Sequence, residues 1–521
     1  MERLTRALLK SGFRRPEDVI PGSLEEYPER ILQFGEGNFL RAFVDWMVNA
    51  LNRQGLFNGR IVVVQPITQG LIDALNEQEG LYTLYLRGLQ DGMTIEQKEI
   101  ITSISRGINP YTQWAEYLNC ARQPELRYIV SNTTEAGIAF VNEPFPEGGC
   151  PQSFPAKVAV FLFERFKCFG GDPAKGMIII PCELINHNGS ELKRAILHHC
   201  QEWSLGREFR EWLETSCTFL NTLVDRIVTG YPRDEIDKIT HELGYEDRLV
   251  DTGEYFHLWV IEGPKAVSEE LPFHKIGMNV IWTDDLQPYR ERKVRFLNGA
   301  HTMTVPAAFL FGLNTVKECV EDQTISSYMH RGLFEEVLPV VPLPDDEKRD
   351  FAKAVFERFS NPFIKHMLLS IALNSVSKFK VRVLPSLLDY HRQTGSLPAI
   401  LSFSLAALIA FYRATRQEEK KHQDTECPGT KVKTGALAGN RAGQPYEIRD
   451  DAPVLDFFAA VWQEYENDRD ITALTAKVLS NSDFWEQDLS AVPGLEDTVA
   501  GHLQVILQHG MAFAVSSLIE K

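Results

Sequence analysis

The chain has no CxxC pair. Its 8 cysteines are scattered along 521 residues, which excludes a disulfide-stapled miniprotein and fits reduced thiols in a cytoplasmic enzyme. No run approaches the ~18 apolar residues of a membrane span, and charges interrupt the apolar stretch that MERLTRALLKSGFRRPEDV would need as a secretory leader. Basic residues are in deficit. The 54 Lys and Arg against 71 Asp and Glu leave a net charge of −17, which opposes general attraction to nucleic acid or an anionic membrane. Any anionic ligand must therefore be held by local cations. HExxH, GxSxG and a Walker loop are all missing, so the short hydrolase and nucleoside-triphosphatase signatures give no lead. His198, His199 and Cys200 follow one another on a predicted helix, where neighbours diverge by about 100° and do not converge on one ion. No catalytic metal is expected.

What is present is ordinary for a globular protein: 44% hydrophobic residues, 24% charged and 31 Phe, enough to fill several cores over two or three domains. The first half alternates short β-branched runs, at 30–34, 60–65, 127–132, 176–181 and 255–262, with amphipathic stretches such as 39–52 and 155–169. Gly55, and Gly170 with Gly171, stand where helices commonly end. This pattern predicts a mostly parallel sheet covered by helices. From about residue 287 strand-like runs nearly vanish and helical periodicity takes over at 289–313, 345–358, 398–413, 452–465 and 495–520. The boundary is expected at 283–288, dividing 1–286 from 287–521. Residues 414–451 are polar, Gly-rich and aperiodic and read as a long exposed loop, with Gly435, Gly439 and Gly443 inside it.

Three segments can carry chemistry. Gly35-Glu36-Gly37 follows the strand ILQF and opens the helix FLRAFVDWMVNAL. A strand, a glycine turn and a helix amino terminus bring bare N–H groups up to a pyrophosphate. Leu40 replaces the third glycine of GxGxxG, and the second strand ends in Gln65 rather than an acid. Taken alone, this pattern fits a plain strand-to-helix turn equally well, and it leaves NAD and NADP both open. In Tyr289-Arg-Glu-Arg-Lys-Val-Arg-Phe-Leu-Asn-Gly-Ala-His301, a wheel with Lys293 at zero places Leu297 near 40°, Arg290 near 60°, His301 near 80° and Asn298 at about 140°. Two cations, an imidazole and a carboxamide thus share one side of a helix. Arg292 and Arg295 are expected on a solvated face. Lys293 is expected among apolar neighbours, where burial and like charge weaken a lysine's hold on its proton, as a general base requires. The third segment, IIIPCELINHNGSELKRAI, puts Asn188-Gly189 where a strand's carboxyl end meets the next helix, either a ligand edge or a common turn.

Taken together, these motifs resemble the mannitol dehydrogenase family of polyol-specific long-chain dehydrogenases. Lys293-x4-Asn298-x2-His301 is similar to its catalytic signature, and GEGNFLRA at 35–42 to its nucleotide-binding turn. SNTTEAG at 131–137, CELINHNG at 182–189, FLNTLVDRI at 219–227, EYFHLWVIE at 254–262 and SKFKVR at 377–382 follow in the family's order. The resemblance implies an α/β plus α fold, a Rossmann-like nucleotide-binding domain followed by a mainly α-helical substrate-binding domain. It implies reversible hydride transfer from NAD, without a metal, to a small sugar substrate. Lys293 would be the acid/base, with Asn188 and Asn298 donating to the reacting oxygen and His301 orienting substrate or lysine. Gly35, Gly37, Asn38, Phe39, Gln65 and Glu135 would form the coenzyme half.

The departures carry information. Arg290 stands where mannitol-type members carry glutamate, and a guanidinium grips a carboxylate bidentately. The substrate expected is therefore a sugar acid, held by Arg290 with Lys378 as a second cation and Asp225 shaping the site. The family's D-N-L-P is Glu183 to Asn186 here, so only Asn188 carries over from that loop. A nucleotide-binding sensor without turnover and a metal-dependent hydrolase are the readings from other classes.

Overall fold

The computed structural model describes residues 1–416 and 437–520, and the chain divides into two compact units, Met1–Gln287 and Pro288–Lys521. In the first unit six parallel strands form the main sheet: β1 (Glu29–Phe34), β2 (Arg60–Val64), β3 (Ile104–Ile108), β4 (Tyr128–Ser131), β5 (Ile178–Pro181) and β6 (Thr218–Phe219). Their spatial order is β3-β2-β1-β4-β5-β6, that of a doubly wound dinucleotide-binding sheet. Alternate side chains explain why both faces are covered. Ile31, Ile61, Val63, Val130 and Ile180 enter one buried cluster, while Leu32, Phe34, Val62, Val64, Ile129 and Ile179 enter another. Strands buried on both faces read as continuous apolar runs, as these do.

Two smaller sheets complete this unit. Sequence alternation alone misses the hairpin Tyr82–Gln90 with Met93–Ile101, although its Asp91-Gly92 turn is a strong hairpin signal. Both residues have positive φ, 52° and 74°, as a two-residue mirror-image turn requires. Asn221–Asp225 is also a strand, paired with Leu258–Glu262, so Asp225 ends a strand rather than capping a helix.

The second unit is largely helical. Ala399–Phe411 is apolar on all sides and buried from Ile400 to Phe411, as expected of a core helix. Glu336 caps its start, accepting from the N–H groups of Ile400 at 2.8 Å and Leu401 at 2.9 Å. No helix among the described residues is long and apolar enough to cross a membrane. Two expectations are corrected here. The stretch 495–520 is two helices, Leu495–His509 and Met511–Ile519, broken at Gly510 with φ +83°. The segment 414–451, read as loop, contains a three-stranded antiparallel sheet of Ala414–Arg416, Leu437–Arg441 and Gln444–Glu447. Gly439 lies on a strand against the Tyr446 ring, where a Cβ would come within 2.2 Å, and Gly443 turns the hairpin with φ +85°. Gly435 falls outside the described residues.

Candidate active site

Strand order in the first unit reverses beside β1, so a crevice opens at the carboxyl ends of β1 and β4. Gly35 leaves β1 with φ +119°, a conformation natural only to glycine. A Cβ there would stand 3.1 Å from the carbonyl of Asn132, so the loops after β1 and β4 touch. Gly37 is exposed, and nothing lies within 4 Å of the place its Cβ would occupy. This open space before the helix at 38–53 is a cradle that fits the pyrophosphate of a dinucleotide.

Side chains around the turn are largely engaged. Asn38 Oδ1 accepts from Arg41 at 2.6 Å and its amide packs against Gly230, so Asn38 offers a ligand its backbone N–H. Phe39 stacks on Phe43 at 5.0 Å. Gln65 is buried and donates to the carbonyl of Ile67 at 2.8 Å. The turn itself carries an acidic group, Glu36, which sequence reasoning did not single out. Glu36 accepts from Leu71 N at 3.2 Å, and a Cβ on Gly70 would come within 2.0 Å of Glu36 Oε1 and 2.5 Å of Gln65 Oε1. Burial raises the Glu36 carboxyl above its usual range. Glu135 is exposed after β4 and lines a cavity of 350 Å³ with Asn186 and Arg194.

Asn188 has a different task from the one expected. It is fully buried, and Pro181 O at 3.0 Å, Glu183 O at 3.1 Å, Thr222 Oγ1 at 3.2 Å and Thr222 O at 3.3 Å close on its amide hydrogens. Its Oδ1 accepts from Gly189 N at 2.9 Å and Thr222 N at 2.8 Å. The side chain knots the loop after β5 to the strand Asn221–Asp225, leaving no amide hydrogen for a substrate oxygen in this arrangement. Glu183 performs a similar service for the β4 loop, accepting from Ser131 Oγ, Thr133 N and Thr133 Oγ1, each at 3.0 Å. Asp225 is buried beside Arg226. The Arg226 guanidinium lies 4.3 Å over the Trp46 ring and bonds the carbonyls of Ala42, Tyr255 and Phe256.

In the second unit the helix at 287–311 changes its winding at the residues of interest. Gln287–Arg292 and Gly299–Phe311 are α-helical, but Lys293–Asn298 is a π-turn. Such turns recur at functional sites, and their hydrogen bonds reach five residues back rather than four. Asn298 therefore comes closer to the side of Lys293 than a uniform wheel allows. Lys293, Asn298, His301 and Arg290 are all half-buried. His301 lies 4.3 Å from the ring of Phe359 and edge-on to His366 at 5.2 Å. His366 has no signal in the sequence, and burial lowers its proton affinity.

Arg292 and Arg295 are not on a solvated face. Arg292 is buried over the Phe351 ring at 4.4 Å with Glu347 3.7 Å away, and Arg295 is paired with Asp389 at 2.6 Å. Gly299 lets the helix Ser375–Arg382 approach, because a Cβ there would stand 2.9 Å from the carbonyl of Arg382. That helix carries Lys378, whose ammonium donates to Ile371 O at 2.9 Å. Burial, and then the charge of Arg382, lower its proton affinity.

Comparison with known proteins agrees with the fold. Residues 29–275 match the model of the mannitol dehydrogenase Rossmann domain, and 285–507 that of the mannitol dehydrogenase C-terminal domain. The chain is 47% identical over 502 residues to altronate oxidoreductase of Escherichia coli O6:K15:H31 (strain 536 / UPEC), covering 96% of this chain and 98% of that protein. The protein of the same name from Escherichia coli O7:K1 (strain IAI39 / ExPEC) is also 47% identical, over 501 residues, with the same coverage. Among solved structures, D-sorbitol dehydrogenase in substrate-free form superposes with a TM-score of 0.77 at 21% identity, covering 98% of this chain and 100% of that one. Pseudomonas fluorescens mannitol 2-dehydrogenase, in a ternary complex with NAD and D-mannitol, gives 0.66 at 21% identity, with 100% of both chains covered.

Proposed function

This chain belongs to the mannitol dehydrogenase family, and on that premise we propose that it is an NAD-dependent oxidoreductase interconverting D-tagaturonate and D-altronate. The observation that carries the substrate is the 47% identity, over 96% of the chain, to proteins named altronate oxidoreductase. Arg290 is consistent with it, since a carboxylate on the sugar gives a guanidinium something to bind that a neutral polyol lacks.

NADH, when bound, supplies the hydride that reduces the ketone carbon. The backbone N–H groups at 38–40, with Gly35 and Gly37, would hold the pyrophosphate; Glu36 and Gln65 would serve the ribose, and Glu135 would complete the coenzyme half. Lys293 donates the proton that the ketone oxygen needs, and its neutral amine removes that proton in the reverse direction. Asn298 offers amide hydrogens to the same oxygen, a contribution whose loss typically costs ~10²–10³ in rate. His301, steadied by Phe359 and His366, orients the substrate. Arg290 holds the carboxylate, with Lys378 as the second cation. Asn188 positions the loop after β5 rather than touching the reacting atoms. We place the enzyme in the cytoplasm, in keeping with its seven described thiols, all free.

The test is NADH oxidation with tagaturonate, fructuronate and fructose, and NAD reduction with mannitol, repeated with Lys293→Ala. Turnover should be highest with tagaturonate and fall on the order of 10²–10⁴-fold in the variant. Preference for fructuronate or a neutral sugar would overturn the substrate, and a fully active variant would overturn the mechanism.

A further inference from the structure

Two buried oxygens in the first unit, on side chains already joined by one hydrogen bond, have no partner among the described residues. Gln33, on β1, and Asp45, on the π-turn Arg41–Asp45 of the following helix, are both fully buried. Gln33 Nε2 donates to the carbonyl of Gly35 at 3.1 Å and to Asp45 Oδ2 at 3.3 Å. The remaining oxygen of each group, Gln33 Oε1 and Asp45 Oδ1, has no hydrogen-bond partner among the described residues. A carboxylate and an amide joined by one N–H bond need a single proton to complete a cyclic pair, and without it both oxygens stay desolvated and unpaired.

We propose that Asp45 carries a proton at neutral pH and donates it to Gln33 Oε1, and that the resulting acid–amide pair positions the Gly35 turn for the dinucleotide. Asp45 is a positioning residue in this scheme, which rests on the functional reading above for the identity of the ligand.

The surroundings favour the neutral acid. Arg41, one turn earlier on the same helix, directs its guanidinium to Leu249 O at 2.6 Å and Asn38 Oδ1 at 2.6 Å, with Asp251 3.8 Å away. Asp251, on the neighbouring strand Asp251–Glu254, adds negative charge. Tyr82 and Ser103 contribute only hydroxyls, which bond the backbone carbonyls of Arg41 and Asp45 at 2.6 Å and 2.8 Å. Burial pushes the Asp45 carboxyl up to about 8; the Gln33 hydrogen bond and Arg41 oppose that rise, and Asp251 adds to it. Raising the pH through that value should break the pair, free the Gln33 amide to turn, and loosen its hold on Gly35.

NADH binding, followed by fluorescence titration between pH 7 and pH 9.5, tests this. The wild-type dissociation constant should rise at least threefold across the range. Asp45→Asn, whose amide N–H replaces the proton, should bind within twofold of wild type at pH 7 and stay flat with pH, whereas Asp45→Ala should bind at least tenfold more weakly throughout. A flat wild-type profile, or Asp45→Asn as weak as Asp45→Ala, overturns the proposal. Should Asp45→Asn fail to fold, wild-type protein with 13C-carboxyl aspartate decides: a buried aspartate still protonated at pH 7 that ionises near pH 8 supports it, and none overturns it. If NADH binds at no pH, the coenzyme reading fails, while the carboxyl titration still decides the state of Asp45.

Discussion

Protonating His199 is costly to this fold. The ring is fully buried between Phe140 at 4.7 Å and Trp203 at 4.5 Å, and neither ring nitrogen has a hydrogen-bond partner among the described residues. Burial holds its pKa near 4, with His198 lowering it and Glu143 opposing. The unfolded chain takes up the proton near 6.5. Because the unfolded state binds more protons between these values, stability falls as the pH drops from about 6.5 to 4 and then levels off for this group. The loss is on the order of 3 kcal/mol. Denaturant midpoints at pH 7 and pH 4.5 should show a smaller acid loss for His199→Leu than for wild type, and an identical loss would exclude the effect. Lys293, Asn298 and His301 were legible in the sequence because their spacing is local. His366 and Glu36 were not. One meets His301 only through tertiary packing, and the other meets Leu71 N only because the Gly70 segment folds back over the turn. Asn188 was misread for the same reason, since the acceptors around it lie on separate strands.

Among the elements, the helix at 287–311 shows how far periodicity can be trusted. Its existence followed from the 3.6-residue rhythm, but that rhythm put Arg292 on a solvated face where it is buried, and no pattern of side chains announced that Lys293–Asn298 winds as a π-turn. The hairpin at 82–101 was missed for another reason. Its strands are interrupted by Arg87, Gly88, Glu96 and Lys98, and the Asp91-Gly92 signal was the part that could have been read. Gly299 ties the helix that carries Lys293 to its neighbour, and Gly299→Ala would force the end of Ser375–Arg382 away. A displacement near 1 Å in a positioned group costs ~10²-fold in rate, so kcat/KM should fall on the order of 10–100-fold. NADH affinity should hold, because the coenzyme residues lie in the other unit. Steady-state kinetics beside a binding titration separates these outcomes.

At the level of the molecule, the division of labour follows the division of the chain. The three described hydrophobic clusters of the first unit draw on residues up to Trp282 and on none beyond Gln287. Residues 1–287 expressed alone should therefore unfold cooperatively and bind NADH while reducing no ketone, as Lys293 is absent; an unfolded fragment by circular dichroism would contradict this. The π-turns at 41–45 and 293–298 bear on how the chain answers a change of length. Each holds one residue more than an α-turn needs. Deleting a single residue between Lys293 and Asn298 would let the stretch wind as a plain α-helix and leave the helix beyond it close to its present phase. A variant shortened there still turns its lysine and its histidine to the same side of the helix. The extra residue is a bulge within the helix and not a change in its course.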